Sequence, residues 1–405
     1  MLRKSVTVFA VGIITLTLLS FIGFQSQAEA KTTITVWHYY GDDEAFNGML
    51  KRFSEAYPDI EVVAEFLPRE ELNKQFTIGV VSGDLPDIGM VDNPDHATYS
   101  AMGVFEDLTD LIKEWPDKDQ YFEGPWKSTV YDGKNYGIPL GSNCLAIYYN
   151  EDMLAEAGVT PPQTWEELAD AAAKLTQDGR YGLAISAPKN EEGTFQYLPW
   201  LLSAGATIDK LDSPEAIKSM EFLTSLVKNG SISQEVINWG QGGVEKQFAL
   251  GKAAMMLNGP WNIGSVKKDA PDMKWNVIKV PKDKVYASVL GGENLGICKG
   301  ANVEAAWKLL QFMATPEESE KFCIAMGYFS PRKDVSETSE YWKNDPVLRV
   351  FMDQLQYAMP RGPHPKWPEI SNAISTALQE ALTGTKSPAD AMKDAQKKVK
   401  KALNE

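Results

Sequence analysis

Cysteine is scarce in this 405-residue chain: Cys144, Cys298 and Cys323 are the whole set. An odd count leaves at least one thiol unpaired within the chain, and a chain of this length does not need disulfides to hold a core. "SNCLAIYY" and "NLGICKG" set two of the three in apolar, strand-like runs, where a free Cys packs as a small hydrophobe. Histidine is equally sparse. His38, His96 and His364 form no H-E-x-x-H helix, which excludes that zinc-hydrolase arrangement, and no G-x-S-x-G nucleophile elbow exists. Positive charge is the third shortage, with 40 Lys and Arg against 55 Asp and Glu and a formal net charge of −15. Such a surface repels phosphate backbones and anionic headgroups, so nucleic acid and membrane surfaces are poor partners.

Phosphate and dinucleotide loops are also missing. "GQGGVE" lacks a third glycine and follows no clear strand, and the Gly-Lys pairs at 133–134 and 251–252 lack the upstream Gly and the following Ser or Thr. "HYYGDDE" holds acidic residues that suit the first turn of a solvated helix better than a metal cluster. No catalytic residue, metal site or cofactor is therefore expected. An exported glycosidase stays as the alternative from a different class, because the spacing of its two carboxylates is spatial and leaves no sequence signature.

What is present begins at the N-terminus. Arg3 and Lys4 precede the nearly uncharged run "VTVFAVGIITLTLLSFIGF", and Ala28-Glu29-Ala30 supplies an A-x-A site. Residues 1–30 thus read as a signal peptide cleaved after Ala30, rather than an uncleaved anchor. No Cys follows directly that could carry a lipid, so the expected product is exported, soluble and periplasmic, since an unanchored exported protein needs an outer membrane to retain it.

Beyond the leader the elements alternate. "TTITVWHYY" is strand-like, and Phe46, Met49, Leu50, Phe53 and Tyr57 recur at helical spacing. Pro58-Asp59 stops that helix and "IEVVAEFL" starts a second strand, a βαβ unit of the kind that builds parallel sheets between helices. Later, Thr164 and Glu167 occupy capping-box positions, and Ser213-Pro214 opens a helix that Gly230 closes. Gly-interrupted extended segments near 141–143 and 290–293 read as crossovers between two lobes, 31–141 plus 291–330 and 142–290 plus 331–405. Lobes joined more than once can close on a ligand by bending there.

The 11 Trp, 15 Tyr and 16 Phe supply the functional signal. Trp37, Tyr39, Tyr40, Trp200, Trp239, Trp261 and Trp367 sit where strands end, and in open α/β sheets ligands bind beyond those ends. Most buried aromatics are packing, but "MMLNGPW" puts Trp261 immediately after a turn, where it can hardly be buried completely. An aromatic face there offers a platform for the C–H face of a sugar ring.

The mature chain resembles the extracellular solute-binding proteins of ATP-driven carbohydrate importers, the superfamily that includes maltose-binding protein. The resemblance rests on segments in order, among them "ITVWHYYG", "GDLPDIGMVDN", "YGIPLGSNCLAIYYNEDML", "PPQTWEEL", "FALGKAAMMLNGPW", "LGGENLGI", "ATPEESEKF" and "GYFSPRKDV". It implies an α/β, two-lobed periplasmic-binding-protein fold of type II, each lobe a mixed sheet flanked by helices and joined by crossover hinges. It further implies a monomer that captures a mono- or oligosaccharide by hinge closure and delivers it to transmembrane permease subunits, without catalysis. A polyol or glycerol-phosphate-like ligand is the lesser alternative within that class. Carried over by position, Trp261 stacks on the ligand from the second lobe, and Tyr39 and Tyr40 face it from the first. Asp92 and Asn93 bond hydroxyls, Asn143 lines the crossing, and Gly292, Glu293 and Asn294 sit at the return crossing. Arg332 borders the cleft, Phe195 and Trp200 belong to the second lobe's wall, and Trp239 and Trp367 are further candidates for contact. Trp37 is expected to pack beneath the site. Two departures bear on the ligand: Val91 stands where some relatives carry an aromatic, and Asn143 where some carry a carboxylate.

Overall fold

The computed structural model describes residues 31–40, 44–177 and 179–404. The leader expected at 1–30 and its cleavage site lie outside them, as do Asp42 and Asp43. Among the described residues no helix is long and apolar enough to cross a membrane.

The β-branched run forms a strand, Thr32–His38, and the amphipathic stretch after it forms a helix, Glu44–Ala56, that buries Phe46, Met49, Leu50 and Phe53. Tyr57 falls just past the helix end and is half-exposed, though its ring still meets Phe53 at 4.8 Å. The strand Ile60–Phe66 then pairs in parallel with the first, completing the expected βαβ unit. Ile88–Asp92 adds on the other side, also parallel. Glu293–Ile297, far away in sequence, pairs antiparallel with Ile88–Asp92 and brings Ile138–Pro139 to the edge. The two central strands from residues 88 and 293 are buried throughout, as strands covered on both faces must be.

A second, mixed sheet runs in the order Trp275–Ile278, Ala146–Asn150, Ala253–Asn258, Tyr181–Ala184. Its helices start where the side chains can cap them. Thr164 accepts from the Glu167 amide at 3.2 Å while Glu167 bonds back to the Gln163 amide at 2.7 Å, and Ser213 caps through Ala216 at 3.2 Å. Each sheet has its own helical layers, so the molecule is two-lobed α/β.

The two Gly-interrupted segments run side by side between the sheets. Asn143 and Gly291 exchange backbone hydrogen bonds at 3.0 and 2.9 Å, and Ser142 does the same with Phe329 at 2.9 and 2.8 Å. Three passages of the chain therefore lie together at the base of the interlobe cleft. Their glycines are needed for space: a Cβ on Gly291 would meet the Asn143 Oδ1 at 2.1 Å, and one on Gly292 the Gly141 carbonyl oxygen at 2.1 Å. Gly292 also holds φ of +134°, which L side chains rarely adopt.

Candidate functional site

Above those passages a cavity of about 320 Å³ opens between the lobes. Strand ends supply one wall. Tyr39 and Tyr40 follow the first strand, Asp92 ends the third, and Glu293 begins the returning strand directly opposite Asp92 in the register. Crossing backbone at Gly291 and Gly292, with Asn143, forms the floor. The second lobe contributes Glu191, Glu192 and Phe195 from the first turns of the helix Glu191–Ser203, together with Gln241 and Trp261. The cavity continues past Arg69, Glu191 and Glu192 into a wider chamber of about 690 Å³, lined by Asn73, Thr77, Asn190, Ser371 and Asn372 among others.

The turn in "MMLNGPW" has a structural explanation. The strand Ala253–Asn258 stops at Gly259, and Pro260 sets the first turn of the short helical stretch that follows. The Trp261 ring folds back over Gly259, whose Cβ would stand only 2.0 Å from it. A glycine at 259 thus lets the indole lie flat across the strand end. Phe195 lies 6.3 Å away, ring centre to ring centre, and Tyr328 meets the indole edge-on at 6.5 Å.

Charge in the site is arranged around Arg361. Its guanidinium donates to both Asp92 oxygens at 2.9 and 2.7 Å, to Glu191 at 2.5 Å and to Asn93 at 3.2 Å, while its face covers the Phe195 ring at 4.5 Å. Arg69 also donates to Asp92 and pairs with Asp95 at 3.6 Å. Burial alone would raise the Asp92 carboxyl, but the Arg361 and Arg69 guanidinium groups outweigh it and hold the carboxyl below its ordinary range. Asp95, buried beside Glu191 and Asp92, is pushed up to about 7 against the pull of Arg69. Glu293 accepts from the Tyr40 hydroxyl at 2.8 Å and from that of Tyr39 at 3.4 Å. Burial, then the Asp92 charge, pushes it to about 7 even so, and the two phenols are driven well above their usual range by burial and Glu293.

The structure brings together Tyr39, Tyr40, Asp92, Asn143, Phe195, Trp261, Gly292 and Glu293 on the cavity wall. Asn93 sits behind, its side-chain oxygen accepting from Arg361. The other expected residues face elsewhere, and each has a reason. Trp200 is fully buried against Trp165 and Phe222, because five residues along a helix from Phe195 carries a side chain well round from the cleft face. Asn294, next to Glu293 on a strand, points to the opposite face and bonds Ser128 at 2.9 Å. Arg332 is buried away from the cavity and spent on Asp334 and Asp117 and on the Ala314 carbonyl. Trp367 is fully buried and donates its indole N–H to Glu191 at 3.0 Å, so it reaches the cavity only through that carboxylate. Trp239 is half-buried against the apolar core, outside the cavity lining.

Arg69, Glu191, Glu192, Gln241, Tyr328 and Arg361 line the cavity without having been singled out in the sequence. Two carried a usable signal. Arg69 follows a strand end at Phe66, where the rule for open sheets applies, and Tyr328 belongs to the same "GYFSP" that drew attention to Arg332. Arg361 lies in "MPRGPHP", whose composition marks a loop and nothing more.

Residues 48–349 match the family of bacterial extracellular solute-binding proteins. The chain belongs to that family. Among solved structures, this solute-binding protein is similar to an ABC transporter solute-binding protein from Thermotoga lettingae TMO bound with alpha-D-tagatose, at 30% identity and a TM-score of 0.85 over 92% of this chain and 100% of that one. It is 26% identical over 373 residues to the maltotriose-binding protein of Pyrococcus abyssi, covering 87% of this chain and 78% of that protein. It is also 25% identical over 414 residues to the sn-glycerol-3-phosphate-binding periplasmic protein of Escherichia coli O1:K1, covering 92% of each. The interlobe cavity is thus the solute site to be considered for this chain.

Proposed function

We propose that this protein captures a mono- or short oligosaccharide in the interlobe cavity and hands it to the membrane permease of an ATP-driven importer, without making or breaking a bond. The observation that carries the reading is the pairing of aromatic faces, Trp261 with Phe195 on one side and Tyr39 with Tyr40 on the other, with carboxylates and an amide that accept hydroxyl protons. A sugar has both surfaces that this wall needs. Its relatives from Thermotoga lettingae and Pyrococcus abyssi, which bind tagatose and maltotriose, support the same class. The inner cavity has room for one or two sugar units, and the outer chamber accommodates further ones.

The lobes in this reading are 31–141 with 291–330 and 142–290 with 331–405. Ring packing supports the division: Phe322 meets Phe46 of the first lobe at 6.3 Å, whereas Phe351 meets Tyr148 of the second at 5.8 Å. Ligand bound to both walls favours the closed form, and the permease receives that form from an exported monomer.

The test is a thermal-shift screen of the mature chain against mono-, di- and oligosaccharides, followed by calorimetry. A sugar that raises the melting temperature with unit stoichiometry, and that is recovered unchanged after long incubation, is the expected result. Consumption of the sugar would make the protein a glycosidase instead, and silence across neutral and charged sugars alike would remove the sugar reading.

A further inference from the structure

The carboxylates on the cavity wall outnumber the cations and are not all matched. Asp92, Glu191, Glu192 and Glu293 stand against Arg69 and Arg361. Both guanidinium groups are already occupied, Arg361 by Asp92 and Glu191, and Arg69 by Asp92 and Asp95. Glu192 and Glu293 are held by neutral donors only. The Gln241 amide and the Ser186 hydroxyl reach Glu192 at 3.1 and 3.5 Å, and the two tyrosines reach Glu293. Among the described residues neither carboxylate has an ion-pair partner, and Glu293 is only 8% exposed. Each lies on a different lobe, so both border a ligand held between the lobes. The aromatic faces around them add their own preference, because the face of a tyrosine or tryptophan ring attracts positive charge.

We infer that Glu192 and Glu293 are specificity-determining residues that keep anionic sugars out of the cavity and favour an amino sugar over its neutral parent. An entering phosphate or sugar carboxylate would find no free guanidinium. Drawing Arg361 towards itself would pull it from Asp92, leaving that carboxylate Arg69 alone. It would also take from Glu191 its guanidinium partner in a poorly solvated place, where under-compensated charge is costly. An ammonium group meets the reverse situation, with two carboxylates lacking cations and aromatic faces beside them. The inference rests on the sugar-binding reading and narrows it. It also separates this chain from its relative that binds sn-glycerol 3-phosphate.

The experiment compares affinities by calorimetry at pH 8, using whichever neutral hexose or disaccharide first shifts the melting temperature. Its amino-deoxy analogues at C2 and C6, its 6-carboxylate and its 6-phosphate are titrated alongside. One amino analogue should bind at least tenfold tighter than the neutral sugar, and both anionic analogues at least tenfold weaker. In Glu293→Gln and Glu192→Gln proteins the ratio of anionic to neutral affinity should rise about tenfold, a ratio insensitive to any general weakening of the site. Anionic and neutral sugars binding within threefold of each other in the unmodified protein would overturn the inference while leaving the sugar reading intact. Amino analogues no tighter than the parent, or ratios unmoved in both variants, would do the same. No binding by any member of the series would overturn the sugar reading and the inference with it.

Discussion

Replacing Arg361 by methionine removes a side chain that ties the third strand of the first sheet to the second lobe's wall. Its guanidinium makes two short bonds to Asp92, one to Glu191 and one to Asn93, and its Nε donates to the Leu290 carbonyl at 3.3 Å in the crossing segment. Methionine fills most of the same volume, so the change is chiefly electrostatic. Breaking a buried ion pair by deleting one partner costs about 3–5 kcal/mol, since the remaining charge is left without compensation. Asp92 keeps Arg69, and Glu191 keeps the Trp367 indole, which places Arg361→Met near the lower end at about 3 kcal/mol. Guanidinium denaturation followed by tryptophan fluorescence and circular dichroism measures it. Asp92→Asn in the same chain removes the stranded charge, so the double variant should lose at least about 1 kcal/mol less than the sum of the single losses. Because Arg361 bridges the lobes, the ligand-free Arg361→Met protein should also show a larger radius of gyration in small-angle scattering. A loss under about 1 kcal/mol, strictly additive with Asp92→Asn and with no change in scattering, would refute the assignment of Arg361 as an interlobe tie.

Two tryptophans separate cleft from core. Trp261→Ala should weaken sugar binding by roughly 1–3 kcal/mol with the fold intact by circular dichroism, whereas Trp200→Ala should cost roughly 3–5 kcal/mol of stability through the void left against Trp165 and Phe222. Calorimetry and denaturation on the same two proteins check both, and interchange of the two phenotypes would count against the geometry. Glu293 titrates at about 7 in the folded protein, against an ordinary value of 4.5, with Tyr39, Tyr40, Tyr328, Asp92 and Arg69 around it. Its contribution to stability is complete below the unfolded value and is lost as pH rises through 7. Glu293→Gln should therefore be up to about 3 kcal/mol more stable than the parent at pH 8.5 and nearly equal to it at pH 4, as read by melting temperature across that range. Gly292→Ala forces a Cβ onto the Gly141 carbonyl at a φ of +134° and should destabilise by about 2 kcal/mol or more, while Gly264→Ala, on an open helix face, should be neutral by the same assay.

The local readings held where local forces decide. Phe46, Met49, Leu50 and Phe53 form a helical stripe whatever lies beyond it, and Thr164 and Ser213 cap their helices as hydrogen-bonding side chains at such positions do. Glycines 291 and 292 were visible as interruptions of an extended run, although the atoms that require them, on Asn143 and Gly141, come from a passage some 150 residues earlier. Assigning residues to the site went wrong wherever sequence adjacency stood in for facing. Glu293 and Asn294 are neighbours with opposite faces, and Phe195 and Trp200 share one helix but not one side of it. Arg332 was the nameable cation near a cleft-edge segment, yet its guanidinium is taken up by Asp117 and Asp334, away from the cavity.

Alternation, capping and the Asn-Gly-Pro turn before Trp261 are properties of a few consecutive residues, so the order of residues alone determined them, along with the two-lobed α/β plan that such elements in sequence imply. The charge of the site is different. It depends on Arg69, Asp92, Glu191 and Arg361 meeting within hydrogen-bonding distance, although they come from four separate stretches of the chain and one of them from a Pro- and Gly-rich loop without periodicity. Electrostatic partnership falls steeply with distance and ignores separation along the chain. Only the tertiary structure could decide which carboxylates of the acidic surplus are neutralised and which are left facing the ligand.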